Sequence, residues 1–167
     1  MHIAVKLIAD NWGQNEERWF LGLSPKEMVI EKNIKMEIEY KLNVIPPTEE
    51  IIDLYNKSGL PRPTEDSERI KVMFENSNLV ITAWQHEKLV GVCRCITDWV
   101  WSCYLADLAV DPDLKQRGIG RKMVELARER LGDQVMLLLL SVPEAMEYYP
   151  KLGFSKENRA FSKNRKS

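Results

Sequence analysis

The 167-residue chain has no long apolar run: its longest, residues 135–140, falls far short of the ~20 residues a bilayer span takes. Neither sign of charge is in excess. With 24 Lys and Arg against 25 Asp and Glu, the formal net charge is -1, which argues against whole-surface attraction to nucleic acid or to an anionic membrane. Cysteine is scarce. Three residues (Cys93, Cys95 and Cys103), an odd number without framework spacing, do not make a disulfide scaffold and fit a reducing compartment. The two histidines, His2 and His86, stand beside no second ligand type, and Cys93 and Cys95 lack Cys-x-x-Cys spacing, so no metal is expected. Glycine and proline, eight each, are too few for collagen-like or low-complexity chains. No basic segment followed by an apolar core opens the chain, so no secretory signal is expected and the cytoplasm is the expected compartment.

What is present reads as one globular domain with an appendage. Residues 1–33 stand apart: 15–30 have helical spacing, but Gly22 and Pro25 interrupt it. From 34 the pattern is regular. Ile34, Met36, Ile38, Tyr40, Leu42 and Val44 alternate with polar residues, which predicts a half-buried strand ended by Pro46 and Pro47. Thr48 is the expected cap of a helix that closes at Gly59, and a second helix is expected to begin near Thr64. Residues 79–84 and 89–96 form an expected hairpin, 102–110 a third run, and 119–131 a helix stopped by Gly132. The continuous apolar run 135–140 predicts a strand covered on both faces, followed by a short helix over 143–149. Lys156 onward reads as a last edge strand and a solvated end. The order implies a mixed α/β sandwich rather than a bundle or a barrel.

The segment from Asp107 to Arg121 is the most informative. A strand ending Leu108-Ala109-Val110 passes through a short loop into a helix that opens on Gly118-Ile119-Gly120. Lys115, Arg117, Arg121 and Lys122 gather there, and free amides at a helix start with positive charge around them suit a polyphosphate. Gly120 is followed by Arg121 and Lys122, not Lys-Ser/Thr, so this is no P-loop. Met123 occupies the third small position of a dinucleotide fingerprint, so that reading fails too. The plain alternative is a glycine turn with solvated basic side chains.

One strand later comes Tyr148-Tyr149-Pro150-Lys151-Leu152-Gly153-Phe154. The two segments, in this order and spacing, resemble the GNAT superfamily of acetyl-CoA-dependent N-acetyltransferases, over residues 34 to about 161. The resemblance implies the GNAT acyl-CoA N-acyltransferase fold: an α/β (α+β) domain spanning 34–167, with a central mixed sheet, two splayed parallel strands and helices on both faces. It implies that the main chain of Leu108, Ala109 and Val110 pairs with pantetheine. The amides of Lys115, Gln116, Arg117, Gly118, Ile119, Gly120 and Arg121 would hold the pyrophosphate of acetyl-CoA. Tyr149 matches the tyrosine that protonates the departing thiolate. Two departures stand out: Pro150 replaces a polar residue and is expected to end the last turn early, and Val142 replaces an Asn that contacts CoA in many members.

An attacking amine must shed a proton, so a base is sought. Asp107 is the first candidate, with a partnered structural carboxylate as the alternative; Asp98 and Glu144 follow, while His86 sits at a hairpin tip. Trp99, Trp101 and Tyr104 either line a cation or aromatic-amine pocket or pack core and rim. Arg62, in the loop 56–63, is placed to meet a substrate carboxylate. The expected acceptor is a small-molecule amine, an arylalkylamine, polyamine or similar, with some likeness to bacterial and plastid arylalkylamine-type members. A protein or peptide acceptor, or a non-catalytic acyl-CoA sensor, are the alternatives. Cysteines play no covalent part, no nucleic-acid or membrane partner is expected, and family resemblance implies a homodimer.

Overall fold

The computed structural model describes residues 37–165; the appendage 1–33, its expected helix, and Ile34 and Met36 of the first strand lie outside the described residues. Five strands form one sheet in chain order: β1 (Ile38–Leu42), β2 (Leu79–Gln85), β3 (Lys88–Thr97), β4 (Ser102–Val110) and β5 (Met136–Leu139). The first three pairings are antiparallel and β4–β5 is parallel, because the α-helical crossover returns the chain in the same direction. The helices are α1 (Thr48–Ser58), α2 (Ser67–Glu75) and α3 (Ile119–Leu131).

Helices cover both faces. On one, Ile51, Leu54 and Tyr55 of α1 and Ile70 and Phe74 of α2 join Val80, Trp84, Val92 and Ala109 of the sheet in one buried cluster. Each such large side chain contributes about 1.5–3 kcal/mol on burial. On the other, Met123 and Ile119 of α3 reach the Gly91 backbone so closely that an added Cβ would stand 3.0 Å from the Met123 methyl. Cys93 and Cys95 share this second face, as their spacing predicts, with their sulfurs 3.9 Å apart. Hydrogen bonding with Cys95 and burial push the Cys103 thiol up, so it stays protonated.

Several expectations need correction. Pro47, not Thr48, holds the α1 cap position, and no side chain caps it. The second helix starts later than Thr64, at Ser67, because Asp66 caps it by accepting from the Arg69 amide at 3.0 Å. β5 is not covered on both faces among the described residues: Met136 is exposed and the strand is the edge of the sheet. The helix expected over 143–149 is replaced by two 3-10 turns, Pro143–Ala145 and Tyr149–Leu152, each with a proline in its first positions. No strand forms over 155–165, where Phe161 lies open to solvent. Among the described residues no helix is long and apolar enough to cross a membrane.

Candidate active site

The site begins with an irregularity in β4. Opposite β3, Arg94 pairs with Asp107 but Cys95 pairs with Leu105, so Ala106 is the extra residue of a bulge. Bulges bend a strand and raise its twist. The parallel pairing with β5 covers only Ser102 to Leu105 and ends at that point. Beyond it, β4 continues through Leu108, Ala109 and Val110 while β5 has turned away. Among the described residues the edge of this half of β4 facing β5 has no strand partner, which makes the splay that the resemblance implies.

At the far end of β4 the chain turns through Pro112–Leu114 into α3. Gln116 and Gly118 both adopt positive φ, 63° and 81°, with Arg117 between them. Gly118 holds the helix cap position in a left-handed conformation that a side chain would strain. The first α3 bond runs from the Lys122 amide to the Gly118 carbonyl at 2.9 Å, so the amides of Gly118, Ile119, Gly120 and Arg121 precede the helix ladder. No acidic residue stands in the first turn, where Arg121 and Lys122 sit against the usual dipole preference. Lys115, Gln116, Arg117 and Gly118 are exposed. The helix start thus offers amides and cations to an anion.

The second motif folds back onto this loop. Arg121 donates to the Lys151 carbonyl at 3.0 Å, and the Tyr148 hydroxyl packs against Gly120, where an added Cβ would lie 2.8 Å from it. Tyr149 takes a different direction. It stacks edge-on with Tyr148 and Phe154, at 5.5 and 5.7 Å between ring centres. Burial, then the neighbouring Tyr148 and Cys93, push its hydroxyl up to about 12. Pro150 does not end the last turn: it stands in the first positions of the 3-10 turn Tyr149–Leu152, which closes at Gly153, and Tyr149 keeps its contact with Phe154.

Asp107 lies inside the fold, enclosed by donors. Its side chain is fully buried; it accepts from the Tyr55 hydroxyl at 2.8 Å and from Arg62 Nε at 2.5 Å, and it pairs with Arg94. Three donors, two of them guanidinium groups, converge on this buried carboxylate. This is the partnered structural carboxylate weighed above. Burial and the Asp107 charge push the Tyr55 hydroxyl up, so it stays a donor. Arg62 does not stand free for a substrate carboxylate either: it also donates to the Pro61 carbonyl at 2.7 Å and the Ala106 carbonyl at 2.8 Å. Sequence reading missed Tyr55 and Arg94. The signal for Arg94 was present: a single charge inside the apolar run 89–96 demands a buried counter-charge.

The remaining candidates scatter. Asp98 accepts from the amides of Val100, Trp101 and Ser102, whose hydrogen bonds, Ser102 foremost, hold its carboxyl below the ordinary value and weaken it as a base. Glu144 is exposed on the first 3-10 turn and His86 is exposed at the β2–β3 tip. The three aromatics do not wall one pocket. Trp99 lies 5.6 Å from the Arg130 guanidinium at the last turn of α3, Trp101 is 74% exposed, and only Tyr104 lies on β4 near the bulge. A separate open cleft of about 500 Å³ lies between α1 and the β2–β3 hairpin, with Asp111 at its floor held by Lys88 at 3.0 Å. Burial opposes ionisation of Asp111, but the Lys88 bond and the Asp113 amide outweigh it and keep the carboxyl low. Among the described residues no cluster of three or more His, Cys, Asp or Glu side chains is arranged to hold a metal.

Comparison with known proteins matches residues 48–154 to the model of the acetyltransferase (GNAT) family. The chain is similar to the uncharacterized N-acetyltransferase ycf52 of Pyropia yezoensis, 26% identical over 95 residues that cover 53% of this chain and 55% of that protein. It spans about half the length of the curated relatives it matches. Among solved structures, a GNAT-family acetyltransferase of Streptococcus pneumoniae superposes with a TM-score of 0.62 at 23% identity, over 78% of this chain and all (100%) of that one. The PaiA N-acetyltransferase of Thermoplasma acidophilum, solved with coenzyme A, gives 0.60 at 18% identity over 75% of this chain and 94% of that one. These structural likenesses establish the fold.

Proposed function

The chain belongs to the GNAT acetyltransferase family, and on that premise we propose that it transfers acetyl from acetyl-CoA directly to the primary amine of a small molecule, an arylalkylamine, a polyamine or similar. The observation that carries this reading is the conjunction of a bulged β4, whose edge beyond Leu105 has no strand partner among the described residues, with an α3 start that sets amides ahead of the helix ladder beside Arg121 and Lys122. The transferase unit is residues 34–167, to which 1–33 are appended. The compartment is the cytoplasm, consistent with three buried free thiols, and the chain acts as a homodimer.

Acetyl-CoA, when bound, supplies a thioester carbonyl for the amine to attack. The main chain of Leu108, Ala109 and Val110 holds the pantetheine arm as an added strand would. The amides of residues 116–121, with the Lys115, Arg117 and Arg121 cations, hold the pyrophosphate, while the Lys115 amide is spent on the Pro112 carbonyl at 3.3 Å. Lys115 does so as a point charge rather than a planar fork. Tyr149, still protonated well above neutral pH, keeps a proton beside the leaving sulfur and can deliver it there. Asp107 is committed to its arginines and Asp98 to turn amides, so neither carboxylate takes the amine proton. The proton is lost to solvent before attack.

This reading is tested by following free thiol release from acetyl-CoA with polyamines, arylalkylamines, amino acids, aminoglycosides and basic peptides. Turnover with one small-amine class is expected, with kcat/KM rising with pH toward that amine's own pKa. An acidic limb set at a carboxylate's ordinary pKa instead would restore an enzymic base. Turnover confined to peptides would replace the acceptor class.

A further inference from the structure

Resting on the transferase reading above, we propose that Arg62 is a latch: a positioning residue that fastens the loop between α1 and α2 to the β4 bulge. The bulge is the end of the 108–110 edge away from the Gly118 loop, where under that reading the acetyl group and so the amine would lie. The start of the loop, residues 59–66, is held by the amides of Gly59 and Leu60, which donate to the Asn56 and Tyr55 carbonyls, and by Leu60, which packs on the α1–α2 core cluster. Beyond Leu60 the Thr64 hydroxyl meets the Asn56 side chain at 2.7 Å, and the Thr64 and Asp66 amides donate to the Arg62 and Pro63 carbonyls within the loop itself. Its one tie to the sheet through a charged side chain is Arg62. Each arm of that guanidinium is used: Nη1 on the loop's own Pro61 carbonyl, Nη2 on the Ala106 carbonyl, and Nε on Asp107. Ala106 is the bulge residue at which β4 leaves β5. Arg62 therefore grips the point where the strand edge opens.

The anchor it grips is rigid. Asp107 is held from behind by Arg94 and by Tyr55 of α1. Arg94 in turn donates to Ser77 Oγ at 2.9 Å and the Met73 carbonyl at 3.3 Å, tying in the end of α2. Both helices that flank the loop and the loop itself thus converge on one carboxylate. Within this cluster Arg62 is the member that reaches solvent, with its side chain 26% exposed against 8% for Arg94 and none for Asp107. It closes the cluster on its open side. A lysine there keeps the charge but cannot satisfy three acceptors in a plane.

The test uses the full chain as wild type, Arg62→Lys and Arg62→Ala, with amide hydrogen exchange, CoA titration calorimetry and steady-state kinetics on the amine identified by the panel. In Arg62→Ala the amides of 59–66 are expected to exchange roughly tenfold faster or more, the size of a lost charge-assisted bond. Protection of α3 and affinity for CoA stay as in wild type. The kcat/KM for the amine falls roughly 10²-fold, the scale of a misplaced reactant, with the amine KM rising and the acetyl-CoA KM unchanged. Arg62→Lys falls between the two. Unchanged exchange across 59–66 overturns the latch, as does an equal loss of α3 protection and CoA affinity, which marks a general structural role. Wild type that fails to bind CoA sinks the transferase reading, and loop exchange still decides the latch.

Discussion

Asp107→Asn is expected to destabilise the protein by about 3–5 kcal/mol, because it leaves buried guanidinium charge without its counter-charge. Arg94 is almost fully enclosed and has Asp107 as its carboxylate partner. For a domain of this size the melting temperature should drop by roughly 10–20 °C. Arg94→Met in the same background should recover part of the loss, since the double variant removes the stranded charge as well. Thermal melts of the single and double variants measure this directly. A catalytic base would behave otherwise: the single variant would melt like wild type, bind CoA normally and lose turnover alone. That outcome would reverse the assignment of Asp107 as a structural carboxylate.

The second large effect is at Tyr149. Removing its hydroxyl in Tyr149→Phe is expected to lower kcat by ~10²–10⁴, the usual contribution of a positioned general acid. Stability should change little, because the ring keeps its edge-on contacts with Tyr148 and Phe154. The pH dependence follows from the direction of the shift. A hydroxyl pushed up to about 12 is protonated throughout the range in which the fold is stable, so kcat should show no alkaline fall that belongs to it. An alkaline limb near the ordinary tyrosine value that disappears in Tyr149→Phe would contradict the buried environment. Full turnover in that variant would remove the general-acid role. Tyr148→Phe is the natural comparison, since its hydroxyl packs against Gly120 at the start of α3.

Sequence patterns carried the fold where local forces decide it. The alternation through Tyr40, the apolar runs of β2 and β3, the span of β4 and both ends of α3 all follow from periodicity and from glycine at the helix ends. The Gly118-x-Gly120 loop and the Tyr149 segment were legible as a pair, and Arg121 bonded to the Lys151 carbonyl is how they meet. Failures came where proline or long-range partners decide. The expected helix over 143–149 gave way to two 3-10 turns, with Pro150, which has no N–H to bond back into the preceding turn, at the start of the second. The run 135–140 was apolar enough for a central strand, but nothing in its composition says whether a sixth strand covers the far edge. The partners of Asp107 lie 13, 45 and 52 residues away in the chain, beyond any local pattern. A lone Arg94 among Val92, Cys93, Cys95 and Ile96 was the one sequence clue to them. The aromatic cluster failed for a related reason: Trp99 and Trp101 flank a turn, and turns send adjacent side chains in different directions.

In the proposed function, the open edge of β4 and the start of α3 together bind the pantetheine and pyrophosphate of coenzyme A. Calorimetric titration of the full chain with CoA tests it most directly, alongside a Gly118→Val variant whose side chain cannot take the left-handed conformation without strain. Saturable one-to-one binding by wild type, weakened in Gly118→Val and by rising salt as expected for a polyphosphate among cations, is the predicted result. Absence of CoA binding by a wild-type chain that melts cooperatively would contradict the account from the loop upward.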